Sequence, residues 1–348
     1  MKIVHFTPFA PMACGLYEAA RDMVVADKLA GHEVFVVDVG TTINNQHTPG
    51  VIGKEDKRNG TNIVSADPIV ARHADLLIAH SGVPDPWFSV CQTPMIWVLH
   101  GRPAACFKPE QFKRGHSYTL MADIATWPRV KVLLSFWPFH TKYWNSIISE
   151  EKLVCLPAPP IDSNRFNSNG PEHDFGAKRG KWNIVIADSW REDVDLFEIT
   201  NGAIECAKNT PGVKFHFYGV ENPLPPCWDR LLLVLQQLGA LGDVWDRRPN
   251  IEEVYRAADM VLSPHRIVTR IIGEALSCGT PVIAARGCEF ATWTCIPEEL
   301  EDVASIIQEA ISQLSINRKG IKHQVKEVAK AFSLIEYNKE MEKIYADL

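Results

Sequence analysis

Short apolar runs alternate with amphipathic stretches along almost the whole chain, and a proline-rich turn interrupts the alternation once. Strands in such a series need crossover connections, so the pattern favours parallel sheets flanked by helices. The first half reads as strand Lys2–Phe9, helix Tyr17–Ala30 stopped by Gly31, and strand Glu33–Val39. Apolar runs Ala74–His80, Pro94–His100, Val130–Ser135 and Leu153–Leu156 follow. After Pro157-Ala158-Pro159-Pro160 comes a stretch rich in Asn, Ser, Gly and charge, Asp162 to Lys181, which reads as the linker.

The pattern then restarts. Strands are expected at Trp182–Ala187, Val213–Tyr218, Met260–Ser263 and Pro281–Ala284. Helices are expected at Leu196–Lys208, Cys227–Leu238, Ile251–Ala258, Arg270–Ser277, Leu300–Leu314 and His323–Leu348. The expected fold class is therefore α/β with two Rossmann-like domains, and 348 residues suffice for two cores. Ligands of open parallel sheets bind beyond the carboxyl ends of the strands, near helix N-termini. Two such halves facing each other across a cleft would offer a favoured ligand site.

Composition narrows the class. Apolar residues make up 46% and charged residues 22%, an ordinary globular balance. No apolar run is long enough to span a bilayer, and Ile3 to Phe9 lacks the pattern of a signal peptide. Nine scattered cysteines without a Cys-x2-Cys pair argue against a disulfide scaffold and a zinc site, and point to a reducing cytoplasm. A net charge of -6 gives no general support for nucleic-acid binding. The charge is uneven, however: residues 1–165 carry 16 Lys/Arg against 15 Asp/Glu, and the remainder 20 against 27. The stretch 100–144 is basic and rich in aromatic residues.

One segment carries the most chemistry. Met260 to Ser263 is a strand, 264–270 a loop, Arg270 to Ser277 a helix, Cys278-Gly279 a stop, and Pro281 onward another strand. The loop feeds a helix N-terminus, so backbone N–H groups there can face an anion beside Thr269 and Arg270. Glu274 lies about one turn further on, where a carboxylate can accept two hydrogen bonds from a ribose diol.

The string Glu274-Ala275-Leu276-Ser277-Cys278-Gly279-Thr280-Pro281-Val282-Ile283-Ala284 resembles the donor-site block of family 4 retaining glycosyltransferases of the GT-B fold. The resemblance extends to Gly15-Leu16-Tyr17-Glu18, Ala30-Gly31-His32-Glu33-Val34, Pro94 to Gly101 and Phe332-Ser333 to Leu348. It implies an acceptor-binding domain at 1–168, a nucleotide-sugar domain at 169–330, and a helix at 331–348 that returns to the first domain. It implies a donor site built from Gly15, Ser189, Arg191, Thr269, Arg270 and Glu274, with Glu274 on the ribose hydroxyls. It also carries over His100, beside the donor sugar, and with Arg191 and Arg266 makes up the expected catalytic set.

The sequence departs from the family at Arg266, where relatives have the first glutamate of a Glu-x7-Glu pair. Ile267, Val268 and Thr269 replace the loop glycines, and the family's lysine near Arg191 is not recognisable. Neutralising a leaving diphosphate without a metal needs positive charge, for which Arg191, Arg266 and Arg270 are the candidates. Trp245 is a candidate to flank the base.

The implied reaction is retaining transfer of a sugar from a nucleoside-diphosphate sugar, UDP favoured, without metal or other cofactor. The acceptor stays open among a saccharide, a lipid-linked sugar, a small molecule and a hydroxymethylated DNA base, as does the oligomeric state. A nucleotide-binding protein that has lost catalysis and a nucleotide-sugar epimerase are the alternatives.

Overall fold

The computed structural model describes residues 1–9, 15–43, 46–58, 60–80, 92–100, 127–137, 150–188, 196–220, 226–246 and 248–348. These divide into two compact units: Met1–Asp162 with Ser333–Leu348, and Ser163–Phe332.

In the first unit the strands are β1 (Lys2–Thr7), β2 (Glu33–Asp38), β3 (Thr41–Ile43), β4 (Gln46–Thr48), β5 (Glu55–Arg58), β6 (Thr61–Val64), β7 (Leu76–Ala79), β8 (Met95–Val98), β9 (Val130–Ser135) and β10 (Leu153–Cys155). Six of them form one parallel sheet in the order β10-β9-β8-β7-β1-β2. β3–β4 and β5–β6 are small antiparallel pairs that the sequence pattern does not announce. Successive residues of a strand serve opposite faces. Ile3, Val36, Ile78 and Ile96 thus join one core, and Val4, Val37, Leu77 and Trp97 the other.

Helix α1 (Gly15–Leu29) covers the first of these cores with Met23, Val24 and Val25. The last helix of the chain covers it too, through Leu334, Tyr337, Met341 and Tyr345. The return of the C-terminal helix to the first unit, expected from the family resemblance, is thus an apolar contact.

The second unit is another parallel six-stranded sheet. Its strands are β11 (Trp182–Ala187), β12 (Val213–Tyr218), β13 (Leu241–Trp245), β14 (Met260–Ser263), β15 (Val282–Ala285) and β16 (Trp293–Cys295), in the order β13-β12-β11-β14-β15-β16. Helices α2 (Leu196–Asn209), α3 (Pro226–Gln237), α4 (Ile251–Ala257), α5 (Arg270–Ser277) and α6 (Leu300–Ala329) connect and cover them. From Ser163 on, the stretch expected as a linker belongs to this unit. Arg165 pairs with Glu252 at 3.0 Å, Arg256 donates to the Pro171 carbonyl, and Phe175 stacks on His216 with ring centroids 3.9 Å apart.

The C-terminal helices differ in their limits from the sequence reading. α6 runs on past Leu314, with a break at Asn317, whose φ and ψ are −140° and 51°. The Asn317 side chain accepts from the Gly320 N–H at 3.1 Å and so caps the second half. The final helix, α7 (Leu334–Ala346), is a separate element. Ser333 starts it by accepting from the Glu336 N–H at 3.2 Å, the Ser-x-x-Glu spacing of a helix start.

α2 rests on α6 at a point where only glycine fits. A Cβ on Gly202 would sit 2.4 Å from two carbons of the Val303 side chain. Gly202→Ala is therefore expected to force the two helices apart and to cost about 1–3 kcal/mol, read as a lower urea midpoint. An unchanged midpoint would show that Val303 yields freely.

Candidate functional site

The second sheet has its strands, counted in chain order, arranged 3-2-1-4-5-6, with the reversal between β11 and β14. Ligand sites of doubly wound sheets lie at such a reversal, past the carboxyl ends of the strands. Here β11 delivers Asp188, whose N–H bonds the Tyr218 carbonyl, and β14 delivers His265. Both are buried, and His265 Nε2 lies 2.5 Å from Asp188 Oδ2. A carboxylate only accepts, so Nε2 is the protonated ring nitrogen.

The loop after His265 leads to Thr269 and α5. Thr269 occupies the N-cap with extended backbone, yet its side chain makes no cap bond. Its Oγ1 is buried without a hydrogen-bond partner among the described residues. Helix N-termini leave their first N–H groups unbonded within the helix. The start of α5 thus combines donors and an unsatisfied hydroxyl.

Glu274 is buried on the same helix. Arg270 Nε lies 2.7 Å from its Oε1, and the Tyr255 hydroxyl donates to Oε2 at 3.5 Å. Burial first, and then the charge of Glu274, push the Tyr255 hydroxyl well above the usual range for a tyrosine, so it stays a donor. The carboxylate is therefore held from two sides.

The Cys-Gly-Thr-Pro string explains how this is built. Gly279, at φ +79°, ends α5 in the left-handed region. Its N–H bonds the Leu276 carbonyl at 2.9 Å, and the Thr280 N–H bonds the Ala275 carbonyl at 3.0 Å. The Thr280 hydroxyl then donates to the Tyr255 carbonyl at 2.5 Å, which fixes α4 against the end of α5. Burial pushes the Cys278 thiol up to about 12, so it stays neutral and serves as packing.

In the first unit the main sheet reads 2-1-3-4-5-6 from its β2 edge, with the reversal between β1 and β7. Three histidines gather there. His5 Nδ1 is 3.0 Å from His80 Nε2, and His80 Nδ1 is 3.3 Å from His100 Nε2. His5 and His80 are buried and His100 is half-buried. Burial lowers His100 to about 4; burial and then the His5 and His100 rings hold His80 well below the ordinary imidazole range.

Neither the family models nor the curated sequences give a match to this chain. Solved structures do. HepE of Anabaena, in complex with UDP, matches with a TM-score of 0.73 at 15% identity over 100% of both chains. The sucrose-phosphate synthase of Thermosynechococcus elongatus matches with 0.70 at 14% identity, over 99% of this chain and 98% of that one. A glycosyltransferase of Rickettsia africae matches with 0.66 at 16% identity, over 99% and 98%. The chain has the GT-B fold.

Within this GT-B chain the expected site residues fall into separate groups. Thr269, Arg270 and Glu274 come together around the start of α5. Arg270, expected on a phosphate, turns its Nε to Glu274. Arg266 forms an exposed ion pair with Glu298, while its neighbour His265 takes the buried place at the sheet reversal. Gly15 opens α1, and among the described residues no atom lies within 4 Å of where its Cβ would be.

Trp245 is exposed at the end of β13, with the Arg248 guanidinium 5.9 Å from its ring. Ser189 and Arg191 lie outside the described residues, as does most of the basic, aromatic stretch 100–144. Sequence reasoning assigned no role to Asp188, His265 or Tyr255. The signal for the first two was a polar residue just past an apolar strand, at the strands that flank the reversal.

Two imidazole rings whose protonation the fold opposes make it acid-sensitive. His100 and His216 are each held down to about 4 by burial, against 6.5 ordinarily. Between these values the unfolded chain binds protons that the fold refuses. Stability is therefore complete above about pH 6.5 and falls as the pH drops towards 4. For His216 the shift corresponds to roughly 3 kcal/mol. The urea midpoint should fall between about pH 7 and about pH 4.5, and His216→Asn should flatten part of the fall. A midpoint constant over that range would mean that these rings are charged in the fold.

Proposed function

We propose that this protein is a glycosyltransferase that moves a sugar from a nucleoside-diphosphate sugar, UDP favoured, to an acceptor hydroxyl. The observation that carries the reading is the buried Glu274 carboxylate, oriented by Arg270 and Tyr255 one turn into a helix whose first turn presents donors. Glu274 accepts hydrogen bonds from the ribose hydroxyls. The N–H groups at the start of α5 and the Thr269 hydroxyl bind the diphosphate, as anions favour helix N-termini. The family resemblance adds Arg191 and Ser189 for the diphosphate and His100 for the sugar.

The choice of UDP is supported by HepE, a structure of similar fold solved with that nucleotide. Retention of configuration, metal independence, membership of family 4 and a cytoplasmic location rest on the sequence resemblance and the cysteine pattern. The chemistry asked of the residues is modest. Positive charge and backbone donors stabilise the departing diphosphate, and the departing phosphate takes the acceptor's proton.

Thermal unfolding with UDP, GDP and ADP tests the nucleotide. UDP at about a hundred times its Kd should stabilise the native state by about 2.7 kcal/mol, with smaller shifts for the others. No shift with any nucleotide would sink the reading. Glu274→Gln should weaken UDP by about tenfold or more, since it trades charged hydrogen bonds for neutral ones. It should bind 2′-deoxy-UDP almost as well as UDP. A variant that still prefers the ribose would place the diol elsewhere.

A further inference from the structure

The histidines of the first unit are part of a longer chain that the nucleotide reading does not use. The Tyr345 hydroxyl, on the returning helix α7, donates to Asp27 Oδ1 at 2.8 Å. Asp27 Oδ2 lies 2.9 Å from His5 Nε2, and the series continues to His80 and His100. Asp27, His5 and His80 are at most 1% exposed, whereas the last ring is half-buried. The His5 and His80 rings lie edge to edge, their planes within 15° of each other and their centroids 5.3 Å apart, as an in-plane hydrogen bond requires.

The direction of the chain follows from its first acceptor. Burial, then the charge of Asp27, hold the Tyr345 hydroxyl well above the usual tyrosine range, so it donates. The carboxylate accepts twice, so His5 carries its proton on Nε2 and offers Nδ1 as an acceptor. His80 must then donate from Nε2 and accept at Nδ1, and His100 must donate from Nε2. Each neutral ring has one donor and one acceptor, so a choice made at Asp27 sets all three. The described residues put no hydrogen-bond partner on His100 Nδ1. That nitrogen stands at the carboxyl end of β8, close to the reversal of the sheet where ligands bind.

We propose that Asp27, acting through His5 and His80, locks His100 as its Nε2–H tautomer, so that the bare Nδ1 accepts a hydrogen bond from a sugar hydroxyl. The sugar part of this rests on the glycosyltransferase reading; the lock does not. Asp27, His5 and His80 are positioning residues, and only His100 touches the substrate. No proton leaves the chain and no bond to the sugar forms; the relay sets which partner the last ring can recognise. A hydroxyl is accepted there, and a group that can only accept is refused.

Long-range 1H–15N spectra of the histidine rings in the full chain test the lock without any ligand. His5, His80 and His100 should each be protonated on Nε2 alone in the wild type. In Asp27→Asn the Tyr345 hydroxyl keeps the amide oxygen, so the amide N–H faces His5 and all three tautomers should reverse. Calorimetry with UDP-glucose and UDP then reads the consequence. The variant should lose about tenfold in affinity for UDP-glucose and keep its affinity for UDP. His100 protonated on Nδ1 in the wild type would overturn the proposal, as would reversed tautomers with an unchanged preference for UDP-glucose over UDP. Should Asp27→Asn fail to fold, or wild type bind neither nucleotide, the wild-type spectrum alone decides the lock. In the second case it is the donor reading that has failed.

Discussion

A parallel strand covered on both faces has room for polar side chains only where another element supplies their hydrogen bonds, because an unpaired buried polar group costs about 1–3 kcal/mol. Most of the polar chemistry described in either unit follows from that constraint. In the second unit Asp188 and His265 satisfy one another just past β11 and β14. In the first, His5 stands within β1 itself and is tolerated because Asp27 and His80 hold both of its nitrogens. The sheet order decides which strand ends are neighbours, and hence which polar residues meet.

The run from Glu274 to Ala284 shows how a short motif acts as architecture. Gly279 supplies a backbone conformation that side chains resist, Thr280 ties α4 to the turn, and Tyr255 on α4 reaches Glu274. Changing the glycine would displace the carboxylate's partner without touching the carboxylate. The Arg266 side chain ends on the surface with Glu298, and an exposed ion pair of this kind contributes little.

Much of the fold was legible because its signals are local. β9, β11, β12, β14 and α5 have the limits that their apolar periodicity predicts. At the C-terminus the interruption expected between Leu314 and His323 is there, and the further one before Leu334 was not expected. Asn317 and Gly320 mark the first, and Ser333 starts a new helix where only the Ser-x-x-Glu spacing marks it. The small antiparallel pairs β3–β4 and β5–β6 escaped because such short strands have too few residues to show a period.

The site was legible only in part, and the reason is sequence separation. Glu274 and Arg270 sit four residues apart on one helix, so spacing alone puts them together. The histidine chain joins residues 22, 75, 20 and 318 positions apart. No window of sequence contains two adjacent links of it. Each member instead appears as a polar residue inside or beside an apolar segment: His5 in β1, His80 after β7, Asp27 and Tyr345 on helical faces that join the core. Such a residue signals that a partner exists, because burial without one is costly. It does not say which partner, and here the sheet order and the returning helix supply that information. The direction of the hydrogen bonds adds what neither sequence nor topology holds, since one acceptor-only carboxylate fixes the tautomer of every ring after it.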